Sequence, residues 1–314
     1  MGQSGPSGRH RPAMNNKVLS DMKNNSEPTA TEFAFAVDAH AHVLDTAAFP
    51  FSNPEGYRPA ANEIGTAQEF RTVLASHGLT HALVVNPFAG YGTDNSCMLD
   101  GIAASGGRWK GVALVGHDAS DAHLQMLTDK GVVGARFNTL FTGATSLDGP
   151  AGLRLLERVR EMGWFAQIYY HDDGLLSLLP ILEASGVRIV VDHCGCPAVD
   201  QGLNQPGFQA LLELGKRGNA AIKLSGAFRS SRQSWPYADC DKYVQALIDS
   251  FTLDNCVWGS DWPFVRVPHR MDYGPVYQLL ARWLPDASDR QRVLWDTPAR
   301  WFGFDTPGDN LAGY

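Results

Sequence analysis

The chain has 314 residues, 44% of them hydrophobic and 19% charged, with a formal net charge of −7. That apolar content can build one large catalytic domain, and the acidic balance excludes a nucleic-acid binder, which would carry a basic stripe. No stretch nears the roughly 20 apolar residues that cross a bilayer, and Met1 to Pro28 lacks the apolar centre of a secretory signal, so a cytoplasmic protein with no membrane partner is expected.

Residues 1–32 are rich in Gly, Ser, Asn and Pro without periodicity and read as a disordered leader. From Phe33 onward, short runs rich in β-branched or aromatic residues predict eight strands, each followed by a longer segment: Phe35–His42, Thr80–Asn86, Gly111–Gly116, Val132–Asn138, Phe165–His171, Val187–His193, Ala220–Ser225 and Asn255–Asp261. Apolar spacings of three and four predict helices over Thr66–His77, Asp94–Ala104, Ala119–Lys130, Leu147–Met162, Leu175–Ser185, Pro206–Arg217 and Tyr237–Phe251. Gly78, Gly131, Gly163, Gly186 and Gly218 follow five of them, where a C-terminal cap takes a left-handed residue. This alternation predicts an α/β fold, a (β/α)8 TIM barrel over residues 33–305, with a C-terminal helical extension from Asp286 and a tail over 306–314. A doubly wound open sheet is the alternative, but no Gly-x-Gly-x-x-Gly turn follows the first strand. The five cysteines, Cys97, Cys194, Cys196, Cys240 and Cys256, are odd in number, lack Cys-x-x-Cys spacing and read as reduced thiols.

Strands buried on both faces are continuously apolar, so ionisable groups at their C-terminal ends mark the active face of a barrel. His40 and His42, two apart at the end of the first strand, project to the same side. Asp192 and His193 end the sixth strand, and Asp261 ends the eighth. Paired imidazoles with a carboxylate serve either a divalent metal or metal-free acid–base and oxyanion chemistry. Arg136, inside the apolar run Val132 to Phe141, requires an anionic partner: substrate, or an internal salt bridge with Asp38, Asp192 or Asp261.

His40-Ala41-His42, Asp192-His193 and Gly259-Ser260-Asp261-Trp262-Pro263 resemble the amidohydrolase superfamily, amidohydrolase-related family 2, over about Val37 to Phe302. Phe49-Pro50-Phe51-Ser52, Gly92-Thr93-Asp94-Asn95, Gly134-Ala135-Arg136-Phe137-Asn138 and Trp258 to Pro263 are similar to its lactonase branch, that of the 2-pyrone-4,6-dicarboxylate lactonases. Ser230 to Asp239 is similar to a relative that isomerises sugar-acid lactones. The resemblance implies Asp261 as the general base acting on water, with His40, His42 and His193 polarising the lactone carbonyl and Arg136, Asn138 and Tyr169 binding substrate. Thr142 stands where the family has a second arginine, and Pro87 to Tyr91 replaces a loop with a substrate-binding serine. Arg229 and Arg232 are candidates to bind another anionic group and Arg266 is a third, for which solvation at the surface is the preferred reading.

His171 has no counterpart in the family and could complete a metal site with His40, His42 and Asp261. A binuclear centre is disfavoured, because no bridging lysine lies in Val132–Asn138. The expected activity is hydrolysis of an anionic lactone of pyrone or muconolactone type, as formed in aromatic-acid degradation, with no cofactor required. The alternatives are an amidohydrolase or decarboxylase using a single zinc or manganese ion, a sugar-acid lactone isomerase, and a non-catalytic binding protein. Assembly as a homo-oligomer is left open.

Overall fold

The computed structural model describes residues 32–54, 56–140 and 144–305. The expected leader, Glu32 aside, the tail and Thr142 lie outside them. Eight strands pair in parallel and in chain order: β1 Val37–Ala41, β2 His81–Val85, β3 Trp109–Ala113, β4 Val132–Asn138, β5 Phe165–Tyr169, β6 Arg188–Val191, β7 Ala220–Leu224 and β8 Cys256–Trp258. Two backbone hydrogen bonds join the last strand region to the first: Asp261 N–H donates to His40 O (2.7 Å), and His42 N–H donates to Trp262 O (2.7 Å). The contacts that close the barrel are thus made by residues of the two polar motifs. This is the expected (β/α)8 architecture. Most strands stop before the polar residues expected at their ends, and His42, His171, His193 and Asp261 sit just beyond the ladder.

Helices follow the strands: α1 Ala67–Ser76, α2 Ser96–Ala103, α3 Asp121–Asp129, α4 Gly149–Glu161, α5 Leu175–Ser185, α6 Pro206–Lys216, α7 Asp241–Phe251 and α8 Tyr273–Trp283. The first starts at a capping box in which Thr66 and Glu69 satisfy each other's backbone N–H groups. The last was not assigned from sequence. Its opening Tyr273-Gly274-Pro275 carries turn signals, yet proline is tolerated in a first helical turn, and Tyr273, Val276, Leu279 and Leu280 form its buried face. No helix among the described residues is long and apolar enough to cross a membrane. All five cysteines are buried and unpaired.

The barrel interior is layered. Val37, Leu83, Val112, Phe165, Val190, Ala221 and Val257 form an apolar layer, which the C-terminal extension covers with Trp295, Trp301, Phe302 and Phe304. The next inward positions are polar: Phe165 gives way to Gln167 on β5, Ala221 to Lys223 on β7, and Val190 to Asp192 after β6. The β1–β2 register shifts between Asp38 and Ala41. Asp38 there meets Tyr273 of α8, while His40 meets the polar layer.

Candidate active site

The polar layer forms a buried charge network beneath the barrel mouth. Asp192 Oδ2 accepts hydrogen bonds from Arg136 Nε (3.0 Å) and Gln167 Nε2 (3.1 Å), and Arg136 Nη2 is also 3.0 Å away. Asp192 Oδ1 lies 3.1 Å from His40 Nδ1 and 3.4 Å from Lys223 Nζ. Lys223 Nζ donates to Gln167 Oε1 (2.7 Å) and stands 3.1 Å from His40 Nδ1. Burial alone would push the Asp192 carboxyl up, but His40, Lys223 and Arg136 together hold it well below its usual range. Burial pulls the Lys223 ammonium down to about 8 against the opposing pull of Asp192. Arg136 therefore has the internal salt bridge considered from sequence, with Asp192 as its partner, and it also reaches the pocket above. Lys223 and Gln167 were missed. For Lys223 a signal existed: a lone cation inside Ala-Ala-Ile-Lys-Leu, the same anomaly that drew attention to Arg136.

Above this layer, His40, His42, His193 and Asp261 converge. Asp261 Oδ1 is 3.5 Å from His42 Nε2 and 3.8 Å from His40 Nε2, and Oδ2 is 3.7 Å from His193 Nε2. Oδ2 accepts from Arg229 Nε at 2.5 Å, whereas Oδ1 is buried with no hydrogen-bond partner among the described residues. Burial raises the Asp261 carboxyl, but Arg229 and the imidazoles overcome it and hold the group ionised well below the ordinary 3.8. Burial, with Lys223 next, drives His40 well below 6.5, and burial takes His193 to about 4, so both imidazoles are neutral near pH 7. His42 Nδ1 lies 2.7 Å from Val85 O. A carbonyl can only accept, so this nitrogen carries a proton, and the tautomer it selects has a bare Nε2.

Close backbone packing sets these side chains. A Cβ on Gly259 would stand 2.6 Å from His40 Cβ, and one on Gly226 would stand 2.8 Å from the Cβ of His193. His193 (φ 51°) and Asp261 (φ 66°) occupy the left-handed region, at a cost on the order of 1–3 kcal/mol each. Beneath the Asp261 loop, Asp38 Oδ1 accepts from the N–H groups of Ser260 (2.9 Å) and His40 (3.1 Å), and Oδ2 accepts from the Tyr273 hydroxyl (2.9 Å). Burial raises Asp38 from 3.8 to about 6. A raised carboxyl binds its proton more tightly when folded, so its stabilising contribution is present below pH 4 and lost as pH rises through about 6. Measured by urea unfolding, the stability of the parent relative to Asp38→Asn should therefore fall by on the order of 2–3 kcal/mol from pH 4 to 7, over and above the opposite slope that the depressed histidines give both proteins. Equal slopes in the two proteins would contradict this.

A pocket opens over the site, about 430 Å³ of space with its solvent opening included. Its walls combine Pro87, Phe88, Ala89 and Val265 with Arg136, Tyr169, Arg229 and Arg266 around His42, His193 and Asp261. Arg266, read from sequence as a surface residue, is exposed but lines this mouth, its guanidinium 5.1 Å from the Tyr57 ring. Arg136 lies 5.2 Å from the ring of Tyr169, whose hydroxyl is 2.9 Å from His171 Nε2. The structure does not bring every candidate here. Arg232 is exposed beside Asp200 (3.8 Å), Asn138 is buried and accepts from Leu140 N–H (2.8 Å), and His171 is exposed outside the imidazole cluster. Two triads hold ligand atoms mutually within 4.8 Å, His40–His42–Asp261 and His40–Asp192–His193. Phe49–Ser52 and Gly92–Asn95, by contrast, brace loops: Tyr91 hydroxyl donates to Phe49 O (3.0 Å), and Ser52 Oγ donates to Asp94 Oδ2 (3.2 Å).

Comparison with known proteins agrees with this geometry. Residues 37–304 match the amidohydrolase family model Amidohydro_2. The chain is 32% identical to the 4-sulfomuconolactone hydrolase of Rhizobium radiobacter, covering 85% of this chain and 90% of that one. It is also 32% identical to the 2-pyrone-4,6-dicarboxylate hydrolase of Comamonas testosteroni, covering 89% and 93%. A crystal structure of a candidate 2-pyrone-4,6-dicarboxylic acid hydrolase from Acinetobacter baumannii, with citric acid bound, superposes with a TM-score of 0.77 at 29% identity, covering 86% of this chain and 99% of that one. The chain belongs to the amidohydrolase family, in the branch of these lactone hydrolases.

Proposed function

We propose that the protein is a lactonase that opens an anionic lactone of the pyrone or muconolactone class, with Asp261 as the base. The observation carrying this reading is the division of labour on one carboxylate: Arg229 holds Oδ2, while Oδ1 is buried, ionised and without a hydrogen-bond partner among the described residues. A water beside Oδ1 would lose its proton to Asp261 as its oxygen attacks the ring carbonyl. Oxyanion charge would fall on imidazole N–H groups. His193 can offer one at Nε2 when Ser225 Oγ, 3.0 Å from Nδ1, donates to that nitrogen. Collapse breaks the ring C–O bond, and the proton on Asp261 passes to the departing oxygen. An enolate leaving group needs less acid assistance than an alkoxide, so one carboxylate and neutral imidazoles suffice.

Anion preference follows from charge. The pocket wall carries the guanidinium groups of Arg136, Arg229 and Arg266 and one carboxylate, Asp261, a lining that favours an anion. The relatives' names, sulfomuconolactone and pyrone dicarboxylate hydrolases, and the citric acid in the related structure support the same class. A single zinc or manganese ion would fit the donor set His40, His42 and Asp261, where it would supply Lewis-acid polarisation of the carbonyl. We infer that the chain's own groups carry the reaction without it.

Arg229 uses Nε for Asp261 and Nη2 for Val265 O (3.2 Å), leaving Nη1 to meet a substrate anion. Losing one charge-assisted contact costs about 1.5–3 kcal/mol, so Arg229→Met should raise KM for 2-pyrone-4,6-dicarboxylate roughly 10- to 100-fold. The KM for an uncharged lactone should stay within a factor of two or three of the parent's. Equal losses on both substrates, or no turnover of anionic lactones by the parent, would sink the reading.

A further inference from the structure

We propose that Lys223 is a positioning residue that fixes His40 as its Nε2–H tautomer and so keeps the His40–His42–Asp261 triad from taking up a divalent cation. The inference rests on the lactonase reading only in placing that triad at the reaction centre.

The protons of the triad can be traced from heavy atoms. Val85 O fixes a proton on His42 Nδ1, which selects the tautomer with a bare Nε2. His40 Nε2 lies 3.4 Å from it and 3.8 Å from Asp261 Oδ1, which has no hydrogen-bond partner among the described residues. Were His40 Nε2 also bare, three lone pairs would face one another, an arrangement suited to a metal ion and unfavourable without one. Metal-bound histidines ordinarily donate the other ring N–H to a carboxylate, and Asp192 Oδ1, 3.1 Å from His40 Nδ1, is placed to receive it.

Lys223 opposes that state. Its ammonium, which has donors only, stands 3.1 Å from the same Nδ1. A proton on Nδ1 would set donor against donor there. With Nδ1 bare, Lys223 donates to His40, to Gln167 Oε1 (2.7 Å) and toward Asp192 Oδ1 (3.4 Å), so its three N–H bonds meet three acceptors. With Nδ1 bare, Asp192 Oδ1 and His40 Nδ1 are two acceptors 3.1 Å apart, and the Lys223 ammonium offsets that contact by standing within 3.4 Å of both, while Arg136 and Gln167 serve Oδ2. His40 then directs Nε2–H into the pocket, where it can serve a developing oxyanion instead of a metal.

The test uses the full chain with ¹⁵N-labelled histidine, reading ring-nitrogen protonation from long-range ¹H–¹⁵N correlations, with His40 assigned by His40→Asn. The parent should show His40 protonated at Nε2 only. In Lys223→Met the proton should move to Nδ1, zinc should bind at one equivalent at least tenfold more tightly than in the parent, and kcat for the lactone should fall with KM little changed. A His40 protonated at Nδ1 in the parent overturns the proposal by itself and needs no variant to fold. Retention of Nε2–H in Lys223→Met, or unchanged zinc affinity, overturns it as well. Tautomer and zinc titration need no substrate, so they stand or fall separately from lactone turnover.

Discussion

Asp261→Asn is expected to lower kcat for lactone hydrolysis by about 10²- to 10⁴-fold, the contribution of a positioned general base. Asparagine keeps the shape of the side chain: its oxygen can take the place of Oδ2 and accept from Arg229 Nε, and its NH2 then stands where Oδ1 stood, a position with no hydrogen bond to lose among the described residues. What disappears is the negative charge that can accept water's proton. Arg229 loses its ion-pair partner in the same substitution, so substrate binding must be measured beside turnover, by titration with the intact lactone. Retained binding with collapsed kcat is the predicted pattern. Turnover within tenfold of the parent would assign the proton to another group and leave Asp261 a structural partner of Arg229.

The second large effect concerns stability. Asp192 is fully buried and is the one carboxylate serving both Arg136 and Lys223. Removing one member of such a network strands buried charge, which typically costs 3–5 kcal/mol. Asp192→Asn should therefore lower Tm by roughly 10 °C for a domain of this size. Because the loss is one of charge balance, Asp192→Asn combined with Lys223→Met should recover part of it, and the two changes should be strongly non-additive. Unchanged stability in the single variant, or simple addition in the double, would contradict the buried network.

The same network shows what could and could not be read from sequence. Strand order, helix alternation and the polar strand ends were legible because parallel strands buried on both faces are continuously apolar, which makes His40, His42, Arg136, Asp192 and Asp261 conspicuous. Lys223 is equally conspicuous in Ala220–Leu224, as a lone cation in an apolar strand. The eighth helix was obscured by Gly274 and Pro275 at its start. Distances between loops were a different matter. Arg229, Arg232 and Arg266 are similar in sequence context, yet Arg229 folds onto Asp261, Arg266 reaches the mouth, and Arg232 turns outward to Asp200. Backbone turns such as the left-handed residues at Asp261 and Arg266 decide among them, and nothing in residue spacing encodes which way a non-glycine residue will turn. His171 illustrates the converse: it lies on the side of Tyr169, whose hydroxyl is 2.9 Å from its Nε2, but it stands beyond the end of the strand, exposed and outside the imidazole cluster.

The central claim is hydrolysis of an anionic lactone by Asp261 without a required metal. Its most direct test is ring opening of 2-pyrone-4,6-dicarboxylate and of muconolactones by the purified protein, followed by the loss of lactone absorbance before and after exhaustive chelation, with bound metal quantified in both samples. The account predicts turnover of at least one of these lactones at an unchanged rate in the metal-stripped protein. Activity that vanishes on chelation and returns in proportion to bound zinc or manganese would contradict it.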